Sequence, residues 1–173
     1  MKNHYQLLKE FLFKQMGNYI AAHRMFTTPD QEALYQDAVS GVRDGMHPGQ
    51  YSIYFVIAYY TEGSKYYHDE KMLEYAYESL CEYERFVHED GSVDLAVTNF
   101  HDPAQTGFHS QALFPQAAII ERYTQHTPLE DKLFEKYLEL MERMGEAMAT
   151  LGFHTPNHRW IISSGLACTY YFT

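Results

Sequence analysis

The sequence predicts an all-α protein made of antiparallel helical hairpins, with an inner and an outer layer of helices. Apolar residues recur at spacings of three and four along most of the 173 residues, which is the pattern of amphipathic helices. Helical segments that carry many charges alternate along the chain with segments that are almost wholly apolar. That alternation is typical of outer helices that face water on one side and inner helices that are covered on all sides.

A short repeated motif favours the same architecture. A large apolar residue, a histidine, a proline within two positions and then an amide residue recur at 46–50, 100–105 and 153–157. The three histidines, His47, His101 and His154, are 54 and 53 residues apart. A fixed period of this kind indicates a helical repeat. We therefore expect a single domain spanning 1–173, with three hairpins of about 53 residues that each carry a histidine-bearing loop before the second helix.

Helix-breaking residues set the boundaries in the first half of the chain. Thr28-Pro29-Asp30 starts a short helix that ends near Val39, and a glycine-rich loop follows at 41–49. Asp90-Gly91-Ser92 ends a Glu-rich helix, and only residues 92–98 have the character of an extended segment. The predicted helices of this half are 4–26, 28–39, 51–60 and 69–89.

Proline and capping residues define the second half. Thr127 and Glu130 form a capping box with Pro128 at the first helical position, which is a strong helix start. Pro115 interrupts an apolar helix, and Pro156 opens the last one. The predicted helices of this half are 104–125, 128–150 and 157–171. Because consecutive helices reverse direction, all the histidine-bearing loops are expected at one end, where the inner helices have their N-termini.

Charge and hydropathy exclude several classes of function. The formal charge of −10 and the lack of Lys/Arg clusters argue against nucleic acid and against an anionic membrane surface. No segment has the length of a transmembrane span, and the N-terminus lacks the features of a signal peptide, so the expected location is the cytoplasm. The sixteen Tyr and eleven Phe suit interfaces and sugar-binding clefts.

The most pointed candidate site is Asn157-His158-Arg159-Trp160, in the first turn of an apolar helix. Polar groups there are costly unless they are paired. The free backbone N–H groups of a first turn favour a bound carboxylate or phosphate. Asn157 is able to hydrogen-bond a carboxylate, and His158 is able to exchange a proton near neutral pH. In the purely structural alternative, Asn157 only caps the helix, His158 pairs with a loop carbonyl and Trp160 belongs to the core.

Asn157-His158-Arg159-Trp160 at the start of an inner helix resembles the α/α-toroid polysaccharide lyases, which include the alginate lyases and the heparinase II/III-like group. The stretch from Asp90 to Pro103 resembles the cleft loops of the same superfamily. The resemblance implies cleavage of an anionic, uronic-acid-containing poly- or oligosaccharide by β-elimination, without a cofactor. The residues that match the superfamily's Asn-His pair are Asn157, which would neutralise the uronate carboxylate, and His158, which would remove the C5 proton. We further expect Arg159 to bind the anion, Trp160 to stack on a sugar ring and Asn99 to contact the substrate. His101 and His154 are expected either to line the cleft or to brace their loops.

A complete toroid contains more hairpins than the three predicted here. The resemblance therefore implies that this chain is part of a larger toroid, or that it completes its ring as a homodimer through the apolar flanks of its inner helices. The Tyr that usually assists the Asn–His pair is not identified by sequence, since only Tyr170 and Tyr171 follow that pair and both lie far along the helix.

Two further interpretations stay open. Asp90, Asp94 and Asp102 lie in one loop, and paired carboxylates of that kind catalyse glycoside hydrolysis in toroid hydrolases. Alternatively, the chain is a non-catalytic helical-repeat module that binds a partner. No metal site is expected, because the histidines have no local metal-ligand spacing.

Overall fold

The computed structural model describes residues 3–26, 46–95, 98–123, 125–152 and 155–172. These ranges are predominantly α-helical, which confirms the predicted all-α class, and a two-stranded β-hairpin is the only sheet within them. The elements are α1 (His4–Phe26), α2 (Met46–Tyr60), α3 (Glu70–Glu84), β1 (Val93–Leu95), β2 (Asn99–Asp102), α4 (Pro103–Glu121), α5 (Pro128–Thr150) and α6 (Pro156–Thr169).

Side-chain caps start the helices where the sequence predicts breaks. The capping box of α5 is formed as expected, with the Thr127 hydroxyl accepting from the Glu130 N–H and the Glu130 carboxylate accepting from the Thr127 N–H. Asp69 caps α3 and Asp102 caps α4 by accepting from backbone N–H groups of the first turn. Each cap of this type contributes about 1 kcal/mol to helix stability.

α2, α4 and α6 lie side by side and run in the same direction. Early residues of α2 contact the middle of α4, where Ser52 Oγ donates to Gln116 Oε1 at 2.5 Å. The end of α2 meets the end of α4, where the Tyr60 and Tyr123 rings stack at 4.4 Å. Along α4 and α6 the contacts advance together, from Gln111 on the Ile161 carbonyl to Phe114 on Tyr171.

α3 and α5 cover this row of helices and run antiparallel to it. The start of α2 packs on the end of α3, at Gly49 and Tyr83. α4 and α5 also run in opposite directions: Gln116 of α4 accepts a hydrogen bond from Tyr137 of α5, and Tyr83 contacts both His109, earlier on α4, and Met144, later on α5. α3 and α5 are joined by an ion pair between Glu84 and Lys136 at 2.8 Å. The N-termini of α4 and α6 therefore lie at the same end of the molecule as the β-hairpin, and this region is called the β-hairpin end below.

The core lies between the two layers and is filled mainly by aliphatic and aromatic side chains. Its largest fully buried members come from α2 to α5, which explains why the near-continuous apolar runs of α2 and α4 are stable in water. They are Phe55, Met72, Leu73, Leu80, Tyr83, Leu113, Ile120, Leu133, Tyr137, Leu140, Met141 and Met144.

Three parts of the sequence prediction differ from the structure, and others fall outside the described residues. Residues 46–50, including His47, form the first turns of α2 instead of a loop. The 92–98 stretch contributes to a β-hairpin whose second strand continues to Asp102. α6 is an edge helix rather than a covered inner one, since only Ile162, Gly165 and Thr169 are buried along it. The predicted helix at 28–39 and the residues Phe153 and His154 lie outside the described ranges.

No helix in the described ranges combines the length and the apolar character needed to cross a membrane.

Candidate functional site

Two histidine–aspartate pairs brace the β-hairpin. His88 Nε2 lies 2.7 Å from Asp94 Oδ1, and His101 Nδ1 lies 2.9 Å from Asp90 Oδ2. The two imidazole rings stack on each other, with centroids 4.0 Å apart and planes 22° apart. The two pairs thus form one compact unit that joins the turn after α3 to β2.

Ser92 fixes the proton on one nitrogen of His101. The buried Ser92 hydroxyl donates to Asp90 Oδ1 at 2.6 Å, and its oxygen lies 2.8 Å from His101 Nδ1. Because the hydroxyl hydrogen is directed at Asp90, the hydrogen of the second contact belongs to His101 Nδ1. Nδ1–H then donates to both Ser92 and Asp90. Serine and aspartate share one nitrogen of the ring, so this is not the arrangement of a Ser-His-Asp nucleophile.

The hydrogen bonds from Ser92 keep Asp90 ionised. The side-chain and backbone hydrogen bonds from Ser92, together with His101, hold the pKa of Asp90 below its usual value of 3.8, against the opposing effect of burial. An ionised carboxylate accepts hydrogen bonds but has no proton to donate. Asp90 is therefore suited to orienting His101 and unsuited to the role of a general acid.

The backbone of His101 is also held in an uncommon conformation. Its φ is +50°, which is a left-handed value that few non-glycine residues adopt. The His101 N–H donates to Asp94 Oδ1 at 2.8 Å. The conformation is thus maintained by Asp94 at the backbone N–H and by Asp90 and Ser92 at the ring. Strained residues of this kind concentrate at functional sites.

Asn99 and Asp102 have structural tasks. Asn99 Nδ2 donates to Asp102 Oδ2, and the other oxygen of Asp102 accepts from the Gln105 N–H at 2.6 Å as the cap of α4. Asp102 is buried. Its carboxylate has partners on both oxygens, and the Asn99 amide is directed at it rather than toward solvent. The sequence assigned Asn99 to substrate binding, but its observed contact ties β2 to the start of α4.

Contacts from α5 also hold the turn that contains His88 and Gly91 in place. Arg143 of α5 donates to the His88 carbonyl at 3.2 Å and to Glu84 at 2.9 Å. Gly91 has φ +83° and packs directly against the Arg143 carbonyl. Because these contacts link α3, α5 and the β-hairpin, the position of His101 is determined by the main body of the protein.

The predicted Asn-His pair lies in the first turn of α6. Asn157 is exposed, and its side-chain oxygen accepts from the Thr155 hydroxyl at 2.5 Å. His158 is half-buried, and its Nδ1 is fully buried with no hydrogen-bond partner among the described residues. Trp160 is 80% exposed, so the structural alternative of a core indole is wrong. Arg159 is exposed and engaged in a contact of its own.

The structure brings the α6 turn and the β-hairpin to one end of the protein. Gln111 of α4 donates to the Ile161 carbonyl at 3.2 Å, and a Cβ on Gly107 would be 2.9 Å from Ile161. Because α4 begins at Pro103 and α6 at Pro156, their first turns are level. His101, Asn157, His158 and Trp160 therefore share this end, whereas Tyr170 and Tyr171 lie at the opposite end of α6. His154 lies outside the described ranges.

Sequence reasoning missed His88, Ser92 and a buried polar pair beneath the site. Tyr83, only 1% exposed, has its hydroxyl 2.8 Å from His109 Nδ1, and Gln105 lies 3.1 Å from His109 Nε2. The available signal for His88 was its position before a Gly-containing turn that also carries Asp90. No comparable signal marks the buried pair, because its partners come from different helices.

A second polar cluster lies at the opposite end of the molecule. The Tyr60 hydroxyl donates to Glu130 at 2.6 Å. Burial, reinforced by that hydrogen bond, raises the pKa of Tyr60 well above its usual value. Glu130 also belongs to the capping box of α5, so this cluster joins helix ends and has a structural role.

Neither a metal site within the described residues nor a related protein assigns a function to this chain. Across the described residues there is no group of three or more His, Cys, Asp or Glu side chains arranged to hold a metal ion. No protein-family model, curated protein or solved structure matches the chain. Functional inference therefore rests on the geometry of the β-hairpin end.

Acid titration should reveal the contribution of Asp90 to folding. Because the pKa of Asp90 is lower in the folded state than in the unfolded state, its stabilisation is present above the unfolded value of 3.8 and is lost as pH falls through the folded value. We expect the difference in unfolding free energy between wild type and Asp90→Asn to decrease as the pH falls below about 5. Chemical denaturation at a series of pH values measures it. A difference independent of pH throughout that range would contradict the assignment.

Proposed function

We propose that this protein acts on uronic-acid-containing poly- or oligosaccharides and cleaves them by β-elimination, with Asn157 and His158 as the central residues. The observation that carries the proposal is the first turn of α6, where an exposed amide adjoins an imidazole whose buried Nδ1 has no partner among the described residues. A buried polar atom without a partner is costly and rare in native proteins, and a catalytic role is one of its recognised explanations.

The chemistry needs two groups with different tasks. Asn157 donates from its amide to the uronate carboxylate, which stabilises the negative charge that develops when C5 loses its proton. His158 takes up that proton as a general base. The electron pair of the C5–H bond then forms the C4=C5 double bond, and the C4–O bond breaks. The Thr155 hydroxyl, which donates to the Asn157 oxygen, orients the amide so that its N–H₂ group is directed at the ligand.

Favourable charge supports an anionic ligand at this position despite the overall negative charge. The first-turn N–H groups of α6 carry the positive end of the helix dipole. Arg159 lies in the same turn. The carboxylates of the β-hairpin are each paired with a histidine, a backbone N–H or an amide, which reduces their repulsion of an acidic sugar.

The same contacts disfavour the alternative of a glycoside hydrolase that uses Asp90, Asp94 or Asp102. A hydrolase needs one protonated carboxyl group as general acid. Asp90 is held ionised, and Asp102 is buried with both oxygens occupied. Asp94 accepts from His88 and from the His101 backbone.

Substitution of the Asn-His pair tests the proposal. Asn157→Ala and His158→Ala are each expected to lower the rate of elimination by at least about 100-fold. The measurement is the ultraviolet absorbance of the unsaturated product, with a panel of uronate polysaccharides as substrates. Gln125→Ala and His126→Ala at the opposite end are the matched amide and imidazole controls. Reducing ends released without ultraviolet absorbance would contradict elimination and indicate hydrolysis.

A second candidate function, a non-catalytic module that binds a partner, is favoured by the surface of α1. Leu7, Leu8, Phe11 and Leu12 are each between 44% and 56% exposed. Leu8 and Leu12 also line a cleft of about 120 Å³ against Ile57 of α2. Exposed apolar patches of this kind mark interaction surfaces, and we propose a second copy of the chain as the partner. Light scattering with chromatography tests this: a dimer that Leu8→Glu dissociates supports it, and a monomeric wild type contradicts it.

A further inference from the structure

β-Elimination from a uronide needs a proton for the departing oxygen as well as a base for C5. Tyr170 and Tyr171 do not supply it, since both lie at the far end of α6. Tyr83 lies at the correct end but is only 1% exposed. The source of that proton must therefore be another group at the β-hairpin end.

We propose that His101 is the general acid that protonates the leaving C4 oxygen. The inference rests on the proposed function for its reaction class, and it assigns to His101 a catalytic role that differs from the substrate-binding role expected from sequence. It depends on four observed features of this side chain: its fixed ring, its exposure, its backbone conformation and its location.

The ring of His101 is oriented through one nitrogen only. Nδ1–H donates to Asp90 at 2.9 Å and to Ser92 at 2.8 Å, and the ring face stacks on His88. Nε2 has no hydrogen-bond partner within the described part of the chain, and the side chain is 50% exposed. A carboxylate on one nitrogen and an accessible second nitrogen is the arrangement that positions a histidine for proton transfer.

The backbone conformation of His101 does not serve to bury the side chain that precedes it. A φ of +50° is unfavourable for histidine, and the residue before it, Phe100, is 75% exposed. The conformation therefore does not serve to bury Phe100. It directs the ring onto Asp90, Ser92 and His88 at the end of the molecule that also carries His158.

The proton balance of the proposed step is complete. His158 accepts the C5 proton, the C5–H electron pair forms the C4=C5 bond, and the C4–O pair leaves with the oxygen. Imidazolium His101 gives its Nε2 proton to that oxygen and keeps its Nδ1 proton on Asp90. Exchange with water then deprotonates His158 and protonates His101, so no other reactant is needed.

His101→Asn is the most informative variant. Asparagine tolerates positive φ better than most residues, and its amide N–H₂ is able to donate toward Asp90 in place of Nδ1–H. The variant should therefore fold with a melting temperature close to that of wild type. It lacks the second nitrogen, so turnover of a uronate polysaccharide is expected to fall by about 100- to 10,000-fold.

A substrate with a better leaving group separates acid catalysis from a structural role. An oligouronide that carries a nitrophenyl ether at C4 releases nitrophenolate, and this leaving group needs no proton. His101→Asn should therefore cleave it at a rate within about threefold of wild type, whereas His158→Ala should be inactive on both substrates. A melting temperature unchanged from wild type completes the expected pattern.

Two results would overturn the role of His101. Full activity of His101→Asn on the polysaccharide, or an equal loss on both substrates, shows that His101 is not the acid. Failure of the proposed function has a different signature, because wild type would then be inactive on the polysaccharide and on the nitrophenyl substrate alike. That outcome would contradict both the elimination reaction and the role of His101 in it.

Discussion

Gly91→Ala is expected to lower the free energy of unfolding by about 3–5 kcal/mol. Gly91 has φ +83°, so any side chain adds about 1–2 kcal/mol of backbone strain. An added Cβ would also lie only 1.9 Å from the Arg143 carbonyl oxygen. Backbone atoms of α5 cannot rotate aside as a side chain does. The turn must therefore move away from α5 and break the contacts of Arg143 with His88.

Gly152 provides a matched control for this substitution. Its φ is +79°, but apart from its chain neighbours no atom of the described residues lies within 4 Å of a Cβ placed there. Gly152→Ala should therefore show the backbone strain alone, about 1–2 kcal/mol. Urea denaturation gives the loss of unfolding free energy for each variant. We attribute the larger loss of Gly91→Ala to the close approach of α5. Equal losses for the two variants would contradict that explanation.

Gln116→Ala is the second large expected effect, with a loss of about 3 kcal/mol. The Gln116 oxygen accepts from Ser52 and from Tyr137, each at 2.5 Å, and its amide donates to the carbonyls of Gly49 and Ala112. Tyr137 is fully buried, and burial raises the pKa of its hydroxyl. Removing Gln116 leaves that hydroxyl without its acceptor inside the core.

A double-mutant cycle separates the hydrogen bond from simple loss of volume. In a Tyr137→Phe background the unpaired hydroxyl no longer exists, so Gln116→Ala should cost at least about 1 kcal/mol less than in wild type. Gln111→Ala on the same helix is the control, since Gln111 is half-buried and its one side-chain hydrogen bond within the described residues is to the Ile161 carbonyl. It should cost less than about 1 kcal/mol. Fully additive losses for Gln116 and Tyr137 would contradict a coupled network.

Local sequence signals were sufficient for most of the helices. The Thr127–Glu130 capping box placed the start of α5, and Pro103 and Pro156 mark the first positions of α4 and α6. These signals are reliable because a cap or a proline acts on the backbone groups of its own turn. The predicted loop at 46–50 is wrong because proline and glycine, here Pro48 and Gly49, are common in loops, whereas a proline in a first turn is also compatible with a helix.

Tertiary context explains what the sequence did not reveal. The apolar character of α6 predicted a covered helix, but no described outer helix packs beyond it, so Trp160 and Tyr170 remain exposed. Burial depends on neighbours that the pattern of one helix does not specify.

The candidate site was predictable only in part. Asn157 and His158 were identified because adjacent polar residues are unusual at the start of an apolar helix. The aspartates at 90, 94 and 102 were identified as a loop cluster, but their partners were not. His88 lies in the turn after α3, and its stacking on His101 depends on the register of a β-hairpin that sequence reasoning treated as one short extended segment. The orientation of His101 therefore required the structure.

Fluorescence of Trp160 tests most directly whether the first turn of α6 binds an acidic sugar. Trp160 is the single tryptophan of the chain and is 80% exposed, so its emission reports on this turn alone when it is excited selectively. Titration with a uronate oligosaccharide should give a saturable blue shift and reduced quenching by acrylamide, and Asn157→Ala should weaken the binding by about tenfold or more. A neutral oligosaccharide of the same length should leave the emission unchanged. Emission that stays unchanged at saturating concentrations of every uronate tested would contradict a sugar-binding site at this end of the protein.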